Sequence, residues 1–478
     1  MNTSLALRYA RNNQIRFVAE LQKFVSFPSI SAQDKYREAL NNCAGWLVAH
    51  LQKAGFEQAR IIPTRKHPLV YAERIQSAEL PTLLIYGHYD VQPPEPLNEW
   101  HSKPFEPVIK NNYLYGRGAS DDKGQMFALV KSLESYLQTQ GALPVNVRCI
   151  FEGEEEIGSA NLIDFLANHK DALQADVALV SDMSILAPNK PAITYALRGA
   201  LSLELEICGP EQDLHSGNFG GAIHNPVQVL CEIIAKLHDK NGKIQIPGFY
   251  ERVRQPDAVE RRYMSRVGAS DEQILKGARA GTGWGEKEFS LYERTTLRPA
   301  LSVVGITGGY QGQGTKSIIP ARASAKLNFR LVPDQNPEEI EQLFREHIAR
   351  LTPPTVRSFA QMQSAAKPVV INRKNKFARA AISAYQKGFR ACPVFVRSGG
   401  TIPPVSAIQE SLDIPVMMLG FALPDDKLHA PNERFYLPNF FNGISTGIWF
   451  LDEIARTRNF KYSFAPNYSR RTADIRIS

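Results

Sequence analysis

His88 and Asp90 stand two residues apart in Tyr86-Gly87-His88-Tyr89-Asp90-Val91, directly after the apolar run 81–85. An imidazole with a carboxylate two positions on is one way to make a metal ligand and the group that orients it. Alone the pair has an ordinary reading as two structural polar residues at a strand end. Other stretches carry similar groups. Asp121 and Asp122 are adjacent in YGRGASDDKG at 115–124, Glu154, Glu155 and Glu156 are consecutive in EGEEEIGS at 152–159, Asp182 follows Ser181, and His429 lies in LHAPNE at 428–433. The ordinary readings are a helix cap for the Asp pair, an exposed acidic turn for the Glu run, and a loop residue for His429. That so many strand ends finish in His or carboxylate makes separate ordinary readings a poor account.

His88, Asp121, Glu155 or Glu156, Asp182 and His429 together offer nitrogen and oxygen donors without a thiolate. That donor set suits zinc, manganese or cobalt. Two ions held together need a bridging carboxylate. Of two adjacent glutamates, one can bind metal while its neighbour accepts the proton of an attacking water. A cation also relieves the repulsion that makes an acidic run beside a buried strand costly.

The elements that must position these groups follow from hydrophobic pattern. Runs 81–85, 145–151, 175–180 and 415–420 are short and apolar, the pattern of strands buried on both faces, and helical spacing predicts helices over 36–54, from 126 to Gly141, and over 376–388. In an open sheet of this kind, sites form at the carboxyl ends of the strands. After Arg198-Gly199 the pattern changes: Leu201, Leu203, Leu205 and Ile207 alternate with polar residues, as do Ala325, Leu327, Phe329 and Leu331. This predicts an antiparallel sheet with one face covered by helices, including a helix over 226–238, and then a polar segment to about 296. The expected fold class is α/β: a mixed, mostly parallel sheet with helices on both faces, comprising 1–197 and 369–478, plus an inserted α+β lid or dimerisation domain at 198–368.

Composition narrows the function classes. The 478 residues are too many for one ordinary core. No apolar run approaches the roughly 20 residues that span a bilayer, and residues 1–16 lack the apolar core of a secretory signal. The five cysteines, Cys43, Cys149, Cys208, Cys231 and Cys392, form no C-x-x-C, which argues against a disulfide framework or thiolate metal site and for a reducing compartment, the cytoplasm. Several sit in apolar runs and are read as small core residues. The net charge of +8 is spread along the chain apart from a basic tail at Arg456, Arg458, Lys461, Arg470, Arg471 and Arg476. With no matching motif it predicts no nucleic-acid partner.

In this order, across two domains, the motifs resemble those of the dinuclear-metal peptidase family that includes carnosinases, aminoacylases and carboxypeptidase G, with the nearest likeness to its cytosolic non-specific dipeptidase branch. GHYDVQP at 87–93, YGRGASDDKG, EGEEEIGS, SD at 181–182, DLHSGNFGG at 213–221, GGYQGQGTKSIIP at 308–320, RLVPD at 330–334 and LHAPNE carry it. The resemblance implies that His88, Asp121 and Asp182 bind one divalent ion and that Asp121, Glu156 and His429 bind a second. It implies a bridging Asp121, an orienting Asp90, Glu155 as general base and a cis Asp121-Asp122 peptide. It further implies that His215 stabilises the oxyanion, from the partner subunit of a homodimer, that Arg330 holds the substrate carboxylate, and that Ser317 and Gly399-Gly400-Thr401 line the pocket. Thr401 stands where close relatives have Ser, which keeps the hydroxyl. The expected activity is hydrolysis of the amide bond of dipeptides or short peptides, with zinc before manganese or cobalt. The alternatives are an N-acyl-amino-acid deacylase of the same family and, more distantly, a non-catalytic binding or assembly protein on this fold.

Overall fold

A computed structural model describes residues 1–457. Of the basic tail, only Arg456 falls inside it, paired with Asp452 one helical turn earlier; the remaining tail residues lie outside the described residues. Two compact units are present among the described residues: Met1–Tyr195, Ile371–Phe395 and the described chain after Ile402 form the first, and Ala196–Val370 with Val396–Ile402 the second. Among the described residues no helix is long and apolar enough to cross a membrane.

The first unit is built on a twisted sheet with spatial order Arg60–Ile62, Leu69–Arg74, Asn146–Glu152, Thr82–His88, Val177–Val180, Val416–Leu419 and Ala192–Leu197. The four strands from Asn146–Glu152 to Val416–Leu419 are mutually parallel and the flanking pairs antiparallel. Strands Thr82–His88, Val177–Val180 and Val416–Leu419 are buried along their whole length, as expected where helices cover both faces. The chain leaves Thr82–His88 for the strand on one side, then crosses back to Val177–Val180 on the other. Right-handed crossovers therefore put helix Lys123–Gln140 and helix Ala160–Asn168 on opposite faces. Adjacent strands whose connections part in this way leave a crevice at their carboxyl ends. The register sets His88 beside Glu152 there.

Helix Lys123–Gln140 is buried at every position from Lys123 to Leu137. Its polar members are satisfied: the Lys131 ammonium donates to Glu20 at 2.5 Å and Glu134 at 2.6 Å, and lies 2.6 Å from His50 Nε2. The Asp pair does not cap this helix. Asp122 makes no capping hydrogen bond and instead accepts the His88 backbone N–H at 3.3 Å. Helix Arg37–Ala54 ends at Gly55, whose φ of 118° closes the last turn in a conformation open to glycine.

In the second unit, strands Ala300–Gly308, Arg322–Leu331, Gly199–Cys208 and Arg357–Ala366 form an antiparallel sheet in that order. Burial alternates residue by residue along Gly199–Cys208. Helices Pro226–Ala235 and Pro337–Leu351 pack on the buried face. The expected polar segment before 296 is in fact helical over Ala258–Val267, Asp271–Ala278 and Leu291–Thr296. The last two begin with capping boxes, Ser270 with Gln273 and Ser290 with Glu293, a signature visible in the chain but masked by the low apolar content around it. Of the cysteines, only Cys43 and Cys149 are buried; Cys208 is partly so, Cys231 and Cys392 are exposed, and none is bridged. The core reading made of several of them thus holds for Cys43 and Cys149 and not for Cys231 and Cys392.

Two glycines give opposite expectations. A Cβ on Gly124, at the start of the buried helix, would stand 2.1 Å from the Ala119 carbonyl and 2.5 Å from the Phe435 ring. Gly124→Ala is expected to destabilise by about 1–3 kcal/mol through overpacking. Gly45, inside helix Arg37–Ala54, has nothing within 4 Å of such an atom. Gly45→Ala is expected to stabilise by up to about 1 kcal/mol. Thermal unfolding of both variants beside the parent checks the two signs.

Candidate active site

Four loops bring the acidic groups together. His88 ends its strand with the ring fully buried, Nδ1 3.1 Å from the Asp90 carbonyl oxygen and 3.4 Å from the Asp90 carboxylate. Asp90 uses its two carboxylate oxygens to accept the backbone N–H groups of Glu155 at 3.2 Å and Glu156 at 3.1 Å. One residue thus orients the imidazole and pins the acidic turn of the next strand. Glu156 is held from a second side by the Gln92 amide at 2.7 Å. Asp121 stands just before a helix, where its stretch predicts it. It sits in the loop between a short peripheral strand, Tyr113–Tyr115, and helix Lys123–Gln140, and the Asp121-Asp122 peptide is cis. His429 comes from the tight loop after Val416–Leu419, with φ of 59°, a region sparsely used by residues with a Cβ.

Asp121 is the centre of the arrangement. One carboxylate oxygen lies 3.1 Å from His88 Nε2 and the other 2.9 Å from His429 Nε2; Glu156 also approaches His429 Nε2 at 3.3 Å. Two three-residue groups result, His88 with Asp121 and Asp182, and Asp121 with Glu156 and His429, and in each the donor atoms lie within 4.8 Å of one another. Every ligand candidate from the first unit is therefore in one cluster, with Asp90 and Glu155 beside it.

The electrostatics describe a place short of positive charge. Burial pushes the carboxyls of Asp122, Asp182 and Glu155 well above the usual carboxylate range, with neighbouring carboxylates adding to it. Buried Glu152, which accepts the Tyr86 and Ser159 hydroxyls, is pushed up to about 8. Asp121 goes the other way: burial opposes ionisation, but His429 and His88 outweigh it and hold the carboxyl down. Asp121 and Glu156 in turn raise His429 to about 10. Imidazole and carboxylate donors converging with this excess of negative charge fit a divalent cation.

Glu433 was not anticipated as part of the site. Its carboxylate is fully buried and accepts from the backbone N–H groups of Gly118, Ser120 and Asp121 at 3.0, 3.0 and 3.1 Å, and from the Arg117 guanidinium at 2.9 Å. It ties the Asp121 loop to the His429 loop. The signal lay in the chain, an Arg in YGRGASDDKG and a Glu in LHAPNE, but nothing in either motif indicates that they meet.

In the second unit the anticipated residues fall into two groups. His215 and Ser317 lie on facing segments: the Ser216 N–H donates to the Ser317 carbonyl at 3.0 Å, and His215 pairs with Ile318. His215 Nδ1 accepts the Gly217 N–H at 2.9 Å, which caps a short helix. Arg330 Nη1 donates to the Thr401 hydroxyl at 2.8 Å. Gly399 allows this turn to close, since a Cβ there would meet the Thr295 carbonyl oxygen at 2.4 Å.

The family model for peptidase family M20/M25/M40 matches residues 84–451. The chain belongs to this family. It is a metallopeptidase, in line with the expected class, and the deacylase and non-catalytic alternatives are not favoured. It is 31% identical over 462 residues to the Cys-Gly metallodipeptidase dug1 of Schizosaccharomyces pombe, covering 92% of this chain and 95% of that protein. It is 29% identical over 466 residues to the human Beta-Ala-His dipeptidase, covering 94% and 92%. Among solved structures, an M20 family metallo-carboxypeptidase from Sulfolobus solfataricus superposes with a TM-score of 0.83 at 33% identity, covering 92% of this chain and 99% of that one. M20 peptidases are metal-dependent, and the acidic cluster supplies the donors.

Glu433→Gln is expected to cost about 3–5 kcal/mol, because one amide group must then face backbone N–H donors while Arg117 loses its buried partner. Urea unfolding measures the loss, and metal analysis after dialysis is expected to show weaker retention, since Asp121 loses its backbone anchor.

Proposed function

We propose that this protein is a dinuclear metal-dependent dipeptidase. The observation that carries the reading is the Asp121 carboxylate set between His88 and His429, one oxygen toward each. That is the disposition a bridging ligand needs. His88, Asp121 and Asp182 would hold one ion, and Asp121, Glu156 and His429 the other. Zinc is the first choice and manganese or cobalt also suit the donors. Bound there, the ions supply Lewis acidity to the scissile carbonyl and make water easier to deprotonate. Glu155, its carboxyl pushed up by burial and its backbone held by Asp90, takes a proton from the attacking water and returns it to the departing amine. The C–N bond breaks and the water oxygen stays with the new carboxylate. Asp90 keeps His88 in place. His215 stabilises the carbonyl oxygen as it gains charge. Arg330, Ser317 and the Gly399-Gly400-Thr401 turn hold the far end of the substrate.

Dipeptides as the substrate class are supported by the names of the relatives, a Cys-Gly metallodipeptidase and Beta-Ala-His dipeptidases. The catalytic domain comprises 1–197 and 369–478, and the inserted domain at 198–368 is a lid and dimerisation domain. The absence of disulfides among the five cysteines supports a cytoplasmic setting. A panel of dipeptides and N-acyl amino acids, assayed after reconstitution with zinc or manganese, tests the activity. Turnover of the acyl amino acids alone would sink the dipeptidase reading. Glu155→Gln is expected to lower turnover by about 10²-fold or more while metal content stays near the parent's; near-normal rates would remove Glu155 from the role.

The homodimer reading has support in the sheet of the second unit, where Val303, Val304, Ile306, Phe359 and Met362 are exposed. Such an apolar set on one sheet suits a partner surface. In that dimer His215 serves the partner's site. His215→Ala and Glu155→Gln chains, each nearly inactive, are unfolded, mixed and refolded beside a parent control. With His215 acting in trans, half the dimers are mixed and each has one intact site, so activity recovers to roughly a quarter of the parent's. Recovery of nothing, with the control restored, means that His215 acts in its own subunit.

A further inference from the structure

Two guanidinium groups meet at one turn of the second unit. Arg198 donates its backbone N–H to the Gly400 carbonyl at 3.1 Å and its Nε to the Gly399 carbonyl at 3.0 Å. Its own carbonyl accepts the Thr401 hydroxyl proton at 2.7 Å. The same hydroxyl accepts from Arg330 Nη1 at 2.8 Å. Arg198 therefore touches all three residues of the turn, and Thr401 is a relay with both hydrogen-bonding roles committed. The Arg198 side chain is fixed further by Nη1, which donates to the Arg298 carbonyl at 3.4 Å.

Among the described residues neither guanidinium is in an ion pair. Among the described residues, no carboxylate lies within 4.0 Å of the Arg198 or Arg330 nitrogens. By contrast, the neighbouring Arg298 is paired with Glu286 at 2.8 Å. Two permanently charged groups, partly buried and close together, repel each other and lack compensation. A site of that kind is completed by an anion from outside.

We infer that Arg198 is a positioning and specificity-determining residue for the subsite in which Arg330 holds the substrate carboxylate. It clamps the Gly399-Gly400-Thr401 turn, fixes the Thr401 hydroxyl that aims Arg330, and adds a second positive charge. The subsite then selects peptides with a free C-terminal carboxylate. This rests on the role given above to Arg330. Burial, and after it the Arg330 charge, lowers Arg198 to about 10, consistent with two cations sharing one recess.

The test compares kcat and KM for a good dipeptide and for its C-terminal amide in the metal-reconstituted enzyme. The variants are Arg198→Met, Arg198→Lys, Thr401→Val and, as reference, Arg330→Met. Arg198→Met is expected to raise KM for the free acid by about tenfold or more, with kcat little changed and the amide almost unaffected. The preference for acid over amide falls by the same factor. Arg198→Lys, which keeps the charge, is expected to restore part of that preference. Thr401→Val is expected to lower it through Arg330. A parental acid-to-amide preference in Arg198→Met, or an equal loss on both substrates, reduces Arg198 to a structural staple and overturns the inference. Should Arg198→Met fail to fold, Arg198→Lys and Thr401→Val decide, and a parental preference in both overturns it. Arg330→Met separates the two ideas. If it keeps the preference, the role of Arg330 itself fails. If it loses the preference while the Arg198 variants keep it, only the present inference fails.

Discussion

Like charges gathered at a buried point repel one another, and the first unit is arranged around that repulsion. Asp121, Asp122, Glu155, Glu156 and Asp182 crowd around the imidazoles of His88 and His429. Desolvation and mutual repulsion together drive several of these carboxyls upward. No arrangement of hydrogen bonds neutralises such a group; a cation does. The metal dependence of M20 peptidases is thus the direct chemical answer to the donor set that this chain assembles.

Holding that set in place is the work of neutral donors and of two carboxylates that lie beside it. Asp90 serves three groups at once, the His88 ring and the backbones of Glu155 and Glu156. Glu433 collects three N–H groups of one loop, from Gly118, Ser120 and Asp121, and the Arg117 guanidinium. Each joins loops from different strands, so the relative position of the groups on Asp121 does not rest on any single loop being stiff. Backbone N–H groups that accept no proton and carry no net charge anchor these carboxylates at no cost to the charge balance around Asp121.

The second unit carries the opposite electrostatic problem. At Gly399-Gly400-Thr401, Arg198 and Arg330 converge, and among the described residues neither forms an ion pair. The glycine at 399 is needed because the Thr295 carbonyl leaves no room for a Cβ, and the Thr401 hydroxyl is needed because one group must accept from Arg330 while donating to Arg198. A Ser in its place would keep both bonds.

Much of this was written locally in the chain. The buried strand before His88, the glycine stop at Gly55, the alternation from Leu201 to Ile207 and the family motifs are short-range patterns, and short-range patterns survive without knowledge of the fold. They sufficed for the fold class and for the peptidase family. The helices between 258 and 296 were missed because few apolar residues mark them, although their capping boxes were present. Tertiary structure decided the rest. Only the folded chain shows that Asp122 turns to the His88 backbone rather than capping its helix, and that Glu433 meets the Asp121 loop more than three hundred residues earlier in sequence. It alone puts Arg198 and Arg330 on one turn. A residue type and its neighbours fix what a group can do chemically; which distant group it does it with depends on strand order and loop closure, and no local pattern records those.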